Sequence, residues 1–187
     1  MKKNFFKSVF ALMCACVMTT SFVACGSDDD DDKTPSNDNT RAKVGMIFDF
    51  QITDDMLKYC DIEISANNGA GLSDKKTVTA SDVKDGFFTA KLSASLPANF
   101  TLTRTVKMKS NVDLTGVETI KFVRGYQYTV GYYNAAGQYL EKDGKLVSLL
   151  NLTPTSASVD KFIQRVNEGY LDKTITIAFD KNGNEVE

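Results

Sequence analysis

In Val44-Gly45-Met46-Ile47-Phe48-Asp49-Phe50-Gln51-Ile52 every second residue is large and apolar. Val44, Met46, Phe48, Phe50 and Ile52 fall on one side, with Gly45, Ile47, Asp49 and Gln51 opposite. A period of two belongs to a strand half buried in a sheet, and a helical stripe at i, i+3 and i+4 fits it poorly. Thr53-Asp54-Asp55 then reads as a turn. The same alternation returns in Cys60, Ile62 and Ile64, with Asp61, Glu63 and Ser65 on the other face. Cys60 is therefore expected to face the core as an inert thiol, since its strand supplies only acidic neighbours and nothing to lower its pKa.

Working outward, residues 67 to 85 are rich in Asn, Gly, Ser, Asp and Lys and read as a long connection, with a short strand at Lys76 to Thr79. Phe88, Ala90, Leu92, Ala94 and Leu96 mark another strand. After the bend at Pro97-Ala98-Asn99 come Phe100, Leu102, Val106 and Met108, so the pair reads as an antiparallel hairpin. Ile120, Phe122, Tyr126, Tyr128, Val130 and Tyr132 continue in phase, with Gly125 marking a break. Asn134 to Gly137 and Lys142-Asp143-Gly144 read as turns, and Leu146 to Leu152 as a strand covered on both faces. One helix is expected from about Val159 to Glu168, with Ser158 as N-cap, Gly169 as its stop and Val159, Phe162, Ile163 and Val166 as its apolar stripe. A last strand carries Ile175, Ile177 and Phe179 and turns at Asn182-Gly183. The acidic residues of that turn faintly echo a calcium loop but lack its ligand spacing, so a plain turn is expected.

Short strands with turns every 8 to 12 residues predict an all-β fold, an antiparallel β-sandwich that is immunoglobulin-like in outline and carries one helix in its C-terminal region. The immunoglobulin Cys…Trp…Cys hallmark is absent, so the likeness is one of architecture. The alternative is a barrel, because a helix followed by a final strand resembles the lipocalins. The Gly-x-Trp motif of that family is missing, as the chain has no Trp.

Two charged residues break the inward pattern. Arg104 falls in phase with Phe100, Leu102, Val106 and Met108, and Arg124 with Phe122 and Tyr126. An inward arginine is costly unless paired. The structural expectation places both near strand ends, reaching solvent or pairing with a carboxylate such as Asp49 or Glu118. The functional expectation is a site for an anionic or sugar ligand, with Arg104 and Arg124 as bidentate donors and Tyr126 and Tyr128 as stacking faces.

The first 25 residues read as a secretory signal. Lys2, Lys3 and Lys7 form a positive start, and the apolar segment Val9 to Met18 is too short to span a bilayer as a stable helix. Phe22-Val23-Ala24-Cys25 resembles the bacterial lipobox, with Phe22 where Leu or Val is more usual. That resemblance implies cleavage before Cys25 and acylation of its thiol and new amino group, and several acyl chains make such anchoring effectively permanent. Gly26-Ser27 followed by Asp28, Asp29, Asp30, Asp31 and Asp32 resembles the surface-export signal of Bacteroidota-type lipoproteins, which implies a lipid-anchored position in the cell outer membrane, facing outward. The expected organisation is a signal peptide over 1–24, a lipidated, Asp-rich disordered tether over 25–41 and one β-sandwich domain over 42–187.

Composition narrows the function classes. Of four cysteines, Cys14 and Cys16 leave with the signal peptide and Cys25 is the lipidation site. Cys60 alone remains, so no intramolecular disulfide is possible. The chain carries 22 Lys plus Arg against 24 Asp plus Glu. Six of those acidic residues and five of the basic ones precede residue 42, so the folded part is nearly neutral. No basic cluster interleaved with aromatics appears, so no nucleic-acid partner is expected. The absence of histidine removes Ser-His-Asp and Cys-His catalysis and the usual zinc ligand sets. No catalytic residue, metal ligand or cofactor is therefore nominated. The leading expectation is a non-catalytic binding or adhesion module, held to the membrane by its lipid and meeting a glycan or surface-protein partner. The alternatives are a hydrolase using paired carboxylates, for which no pattern nominates a pair, and a structural envelope protein.

Overall fold

β1 (Lys43–Gln51) lies in the middle of a five-stranded antiparallel sheet. In a computed structural model describing residues 40–69, 73–140, 145–149 and 153–186, β1 pairs on one side with β5 (Phe87–Ser95) and on the other with β8 (Tyr126–Tyr133). The two-residue β4 (Val83–Lys84) and β9 (Lys145–Leu149) form its edges. Residues directly opposite in antiparallel strands share a face. Phe48 therefore stands between Ala90 and Tyr128, and Phe50 between Phe88 and Tyr126. The predicted inward set, Val44, Met46, Phe48, Phe50 and Ile52, is buried throughout.

The second sheet has the order β12-β11-β6-β2-β3, built from β2 (Cys60–Asn67), β3 (Ser73–Thr77), β6 (Ala98–Met108), β11 (Lys173–Phe179) and β12 (Glu185–Val186). Its inner face presents Cys60, Ile62, Ile64, Phe100, Leu102, Val106, Ile175, Ile177 and Phe179, all buried. The two inner faces meet in a single core, where Tyr132 and Phe179 contact edge to face across the layers at 6.2 Å. This is an antiparallel all-β sandwich. Among the described residues neither sheet closes on itself, so the barrel alternative is set aside.

The expected hairpin between residues 88 and 108 does not form, because β5 and β6 belong to different sheets. Ser95 faces Lys43, and the Leu96 N–H donates to the Ala42 carbonyl at 2.9 Å, extending the first sheet by one residue. Pro97 has no N–H to continue that ladder, and Ala98 already faces Phe179 in the second sheet. Alternation was read correctly on both strands. What alternation does not carry is which strand each one pairs with.

Thr53 to Tyr59 also differs from expectation. The anticipated turn is the start of a short helix, α1 (Asp54–Tyr59), in which the Thr53 hydroxyl accepts from the Met56 N–H at 3.2 Å and Asp54 and Asp55 occupy the first turn. Thr53 also donates to the Lys121 carbonyl and Asp55 accepts from the Lys121 N–H, tying α1 to β7 (Thr119–Phe122). β7 and β10 (Thr155–Ser158) form a two-stranded ribbon. The helix expected after Ser158 is α2 (Val159–Asn167). Ser158 holds the N-cap position without making a side-chain capping bond. Phe162 and Val166 are buried, and the Phe162 ring lies 5.6 Å from Phe122. The 3-10 turn Ala80–Asp82 carries a capping box formed by Thr79 and Asp82. Cys25, Ser27 and Asp28 to Asp32 lie outside the described residues, as do the turn expected at Lys142-Asp143-Gly144 and the end of the run to Leu152.

Candidate functional site

Alternation along β6 turns Arg104 inward, and the structure buries it completely, at 0% exposure. It stands between Ile64 on β2 and Lys173 on β11. Its Nε donates to the Leu171 carbonyl at 3.0 Å and its Nη1 to the Gln51 carbonyl at 3.4 Å. The guanidinium lies 5.5 Å over the Phe50 ring. Neither Asp49 nor Glu118 is its partner. Asp49 sits on the outer face of β1 and accepts from Thr89 and Gln127. Burial first, and the nearby Arg124 second, pull the Arg104 guanidinium below its ordinary value, to about 10, with Asp172 acting in the opposite direction. It stays cationic at neutral pH. Its two carbonyl partners lie at the end of β1 and just before β11, so Arg104 joins the two sheets.

The segment after α2 is built to deliver those contacts. Gly169 adopts a φ of 69°. The Gly169 N–H donates to the Val166 carbonyl and the Tyr170 N–H to the Arg165 carbonyl, the paired bonds of a Schellman stop. The chain leaves the helix in a fixed direction. Tyr170 turns to the surface, Leu171 is buried at 0% exposure, and the Asp172 carboxylate accepts from the Val106 N–H at 2.8 Å where the β11 ladder has not yet begun.

Arg124 is exposed, and its guanidinium lies 4.1 Å over the Tyr170 ring. The guanidinium of Arg165, on α2, lies 5.2 Å from the same ring and 5.2 Å from that of Phe122. Lys173, half-buried at the start of β11, has its ammonium 5.7 Å over the buried Tyr126 ring. Among the described residues neither Arg124 nor Arg165 forms an ion pair with a carboxylate. Tyr170 is 41% exposed, one of two large apolar side chains at the surface among the described residues.

The four residues singled out from the sequence therefore separate. Arg104 is a buried tie. Tyr126 and Tyr128 are 6% and 3% exposed and stack on Phe48 at 5.4 and 5.7 Å, so they offer a ligand no free face. The Tyr128 hydroxyl donates to Glu185 at 3.2 Å. Burial, then Glu185, push its pKa up to about 12. Arg124 alone reaches the surface, where Tyr170 and Arg165 join it. Tyr170 was missed because it follows the helix stop, where no periodicity marks a face.

Other candidate chemistry is accounted for locally. The Asp180 carboxylate accepts from the Asn182 and Asn184 backbone N–H groups, both at 2.8 Å, and from the Asn184 side chain at 3.1 Å, which makes residues 180–184 a self-bonded turn. No group of three His, Cys, Asp or Glu side chains among the described residues is placed to hold a metal ion. Two open depressions of about 490 Å³ lie elsewhere, one along α2 between Asp160 and Glu168, the other between Lys58 and Asp113. A scan of protein-family models and searches of curated proteins and solved structures return no match to this chain.

Proposed function

We propose that this chain is a lipid-anchored outer-membrane protein, exposed at the cell surface, whose β-sandwich acts as a non-catalytic binding or adhesion module. The observation that carries the binding half is the exposed Tyr170 ring held against two guanidiniums that form no ion pair with a carboxylate among the described residues. Tyrosine and arginine are among the residue types that most often anchor recognition surfaces, and here Tyr170 and Arg124 are exposed to solvent. The Cys25 lipobox resemblance and the Asp28 to Asp32 run support the anchored, outward position.

Three measurements test this. Protease added to intact cells should degrade the domain, and replacing Asp28 to Asp32 with alanine should protect it. A Cys25→Ala variant should escape membrane fractionation or stay unprocessed, and unchanged processing refutes lipidation. Binding is tested by screening the purified protein against an array of neutral glycans, acidic glycans and surface proteins. No capture on any class refutes the module.

A further inference from the structure

We propose that Arg124, Tyr170 and Arg165, flanked by Lys173, form a binding site for an acidic polysaccharide, a chain bearing carboxylate or sulfate groups. The inference rests on the binding-module reading and names its ligand class. Guanidiniums recognise such oxyanions through parallel N–H donors. Here two of them are oriented by one ring, so less side-chain freedom is lost when an oxyanion docks. They come from different elements, Arg124 from the segment between β7 and β8 and Arg165 from α2, with Lys173 at the start of β11. Arg104 adds a buried positive charge close enough to Arg124 for the two to repel. Asp172, the carboxylate that faces Arg104, is already taken up by the Val106 N–H.

The division of the cations between two rings favours a chain over a single small anion. The charges are distributed over two rings, Arg124 and Arg165 at Tyr170 and Lys173 at Tyr126. They do not converge on one pocket, and an array of separate cations is met by successive oxyanions of a repeating polymer. One exposed cation, Arg124, and two half-buried ones, Arg165 and Lys173, are few beside the six to ten phosphate contacts of an extended nucleic-acid footprint.

The test is titration calorimetry of the full-length protein with polygalacturonate, dextran sulfate, neutral dextran, inorganic sulfate and oligodeoxythymidylate. Binding to either acidic polysaccharide, weakening as salt rises, with neither dextran nor inorganic sulfate bound, is the expected result. Comparison of the two polymers identifies the preferred oxyanion. Arg124→Ala and Arg165→Ala should each weaken binding about tenfold. Tyr170→Ala should weaken it as much, while Tyr170→Phe retains it, because the ring and not the hydroxyl orients the guanidiniums. Unchanged affinity in both arginine variants overturns the site, and so does equal binding to oligodeoxythymidylate. Capture of neutral glycans alone on the array overturns the ligand class while leaving the binding module standing. Should Tyr170→Ala lose its fold, Arg124→Glu, at an exposed position, decides the same question by charge reversal.

Discussion

The Nε of Arg104 on β6 donates to the carbonyl of Leu171 at 3.0 Å, and both residues are 0% exposed. A buried cation held by backbone carbonyls, with no carboxylate among the described residues bonded to it, is unusual, because desolvating a charge is expensive. Its compensation is distributed over the Leu171 and Gln51 carbonyls and the face of Phe50. Removing the guanidinium strands both carbonyls and opens a cavity. Arg104→Ala should therefore cost about 3 kcal/mol in urea unfolding. Arg104→Lys keeps the charge but loses the fork and should cost about 1–2 kcal/mol. A loss below about 1 kcal/mol in Arg104→Ala would refute the role of Arg104 as the tie between sheets.

Gly169 sets where that tie begins. Its φ of 69° is one that a side chain disfavours, and a Cβ there would lie 3.2 Å from the Asp172 carboxylate. Gly169→Ala should cost about 1 kcal/mol in stability. It should also loosen Tyr170 from Arg165, seen as a change in tyrosine fluorescence. An alanine variant as stable as the parent would mean that the Schellman stop does not constrain the segment.

These dependencies mark the limit of what sequence revealed. The inward faces of β1, β2, β6, β8 and β11 were legible because alternation is a property of a strand by itself. The sheet exchange at Pro97 was not, since pairing depends on residues far away along the chain. α1 was read as a turn because six residues give too few periods to see. Arg104 was correctly singled out as inward, but its partners are backbone carbonyls, which every residue has and no motif advertises. Tyr170 gained its neighbours only through the path set by Gly169.

Asp82 offers a test at acidic pH. Its carboxylate accepts from Lys76 at 2.6 Å and from the Thr79 backbone and hydroxyl at 2.9 and 2.8 Å. Lys76 first, then Thr79, lower its pKa from 3.8 to about 2. A depressed carboxylate contributes stability that is present above the unfolded value and lost as pH falls through the folded one. The 3-10 turn should hold at pH 4 and loosen toward pH 2, followed by NMR of the Asp82 carboxyl and the Thr79 amide. Titration near 3.8 would show that the capping box does not persist in solution.

Cys60 gives the opposite sign at alkaline pH. Its thiol is 2% exposed against Met108, with the sulfurs 3.9 Å apart. Burial pushes its pKa from 9.0 up to about 12, with Lys109 lowering it and Asp61 raising it. Unfolding frees the thiol to ionise from its ordinary value. The unfolded chain therefore binds fewer protons between those two pH values, and stability falls as pH climbs through that window. Tyr128, also raised to about 12 from 10.0, acts in the same direction but begins later. Denaturation midpoints should decline from about pH 9, and Cys60→Ala should delay that decline to the tyrosine range. In the folded protein at pH 8 a thiol reagent should label Cys60 at least about a hundredfold more slowly than after unfolding, since the thiolate is the reactive form. Rapid labelling under native conditions would place Cys60 outside the core and remove its share of the alkaline decline.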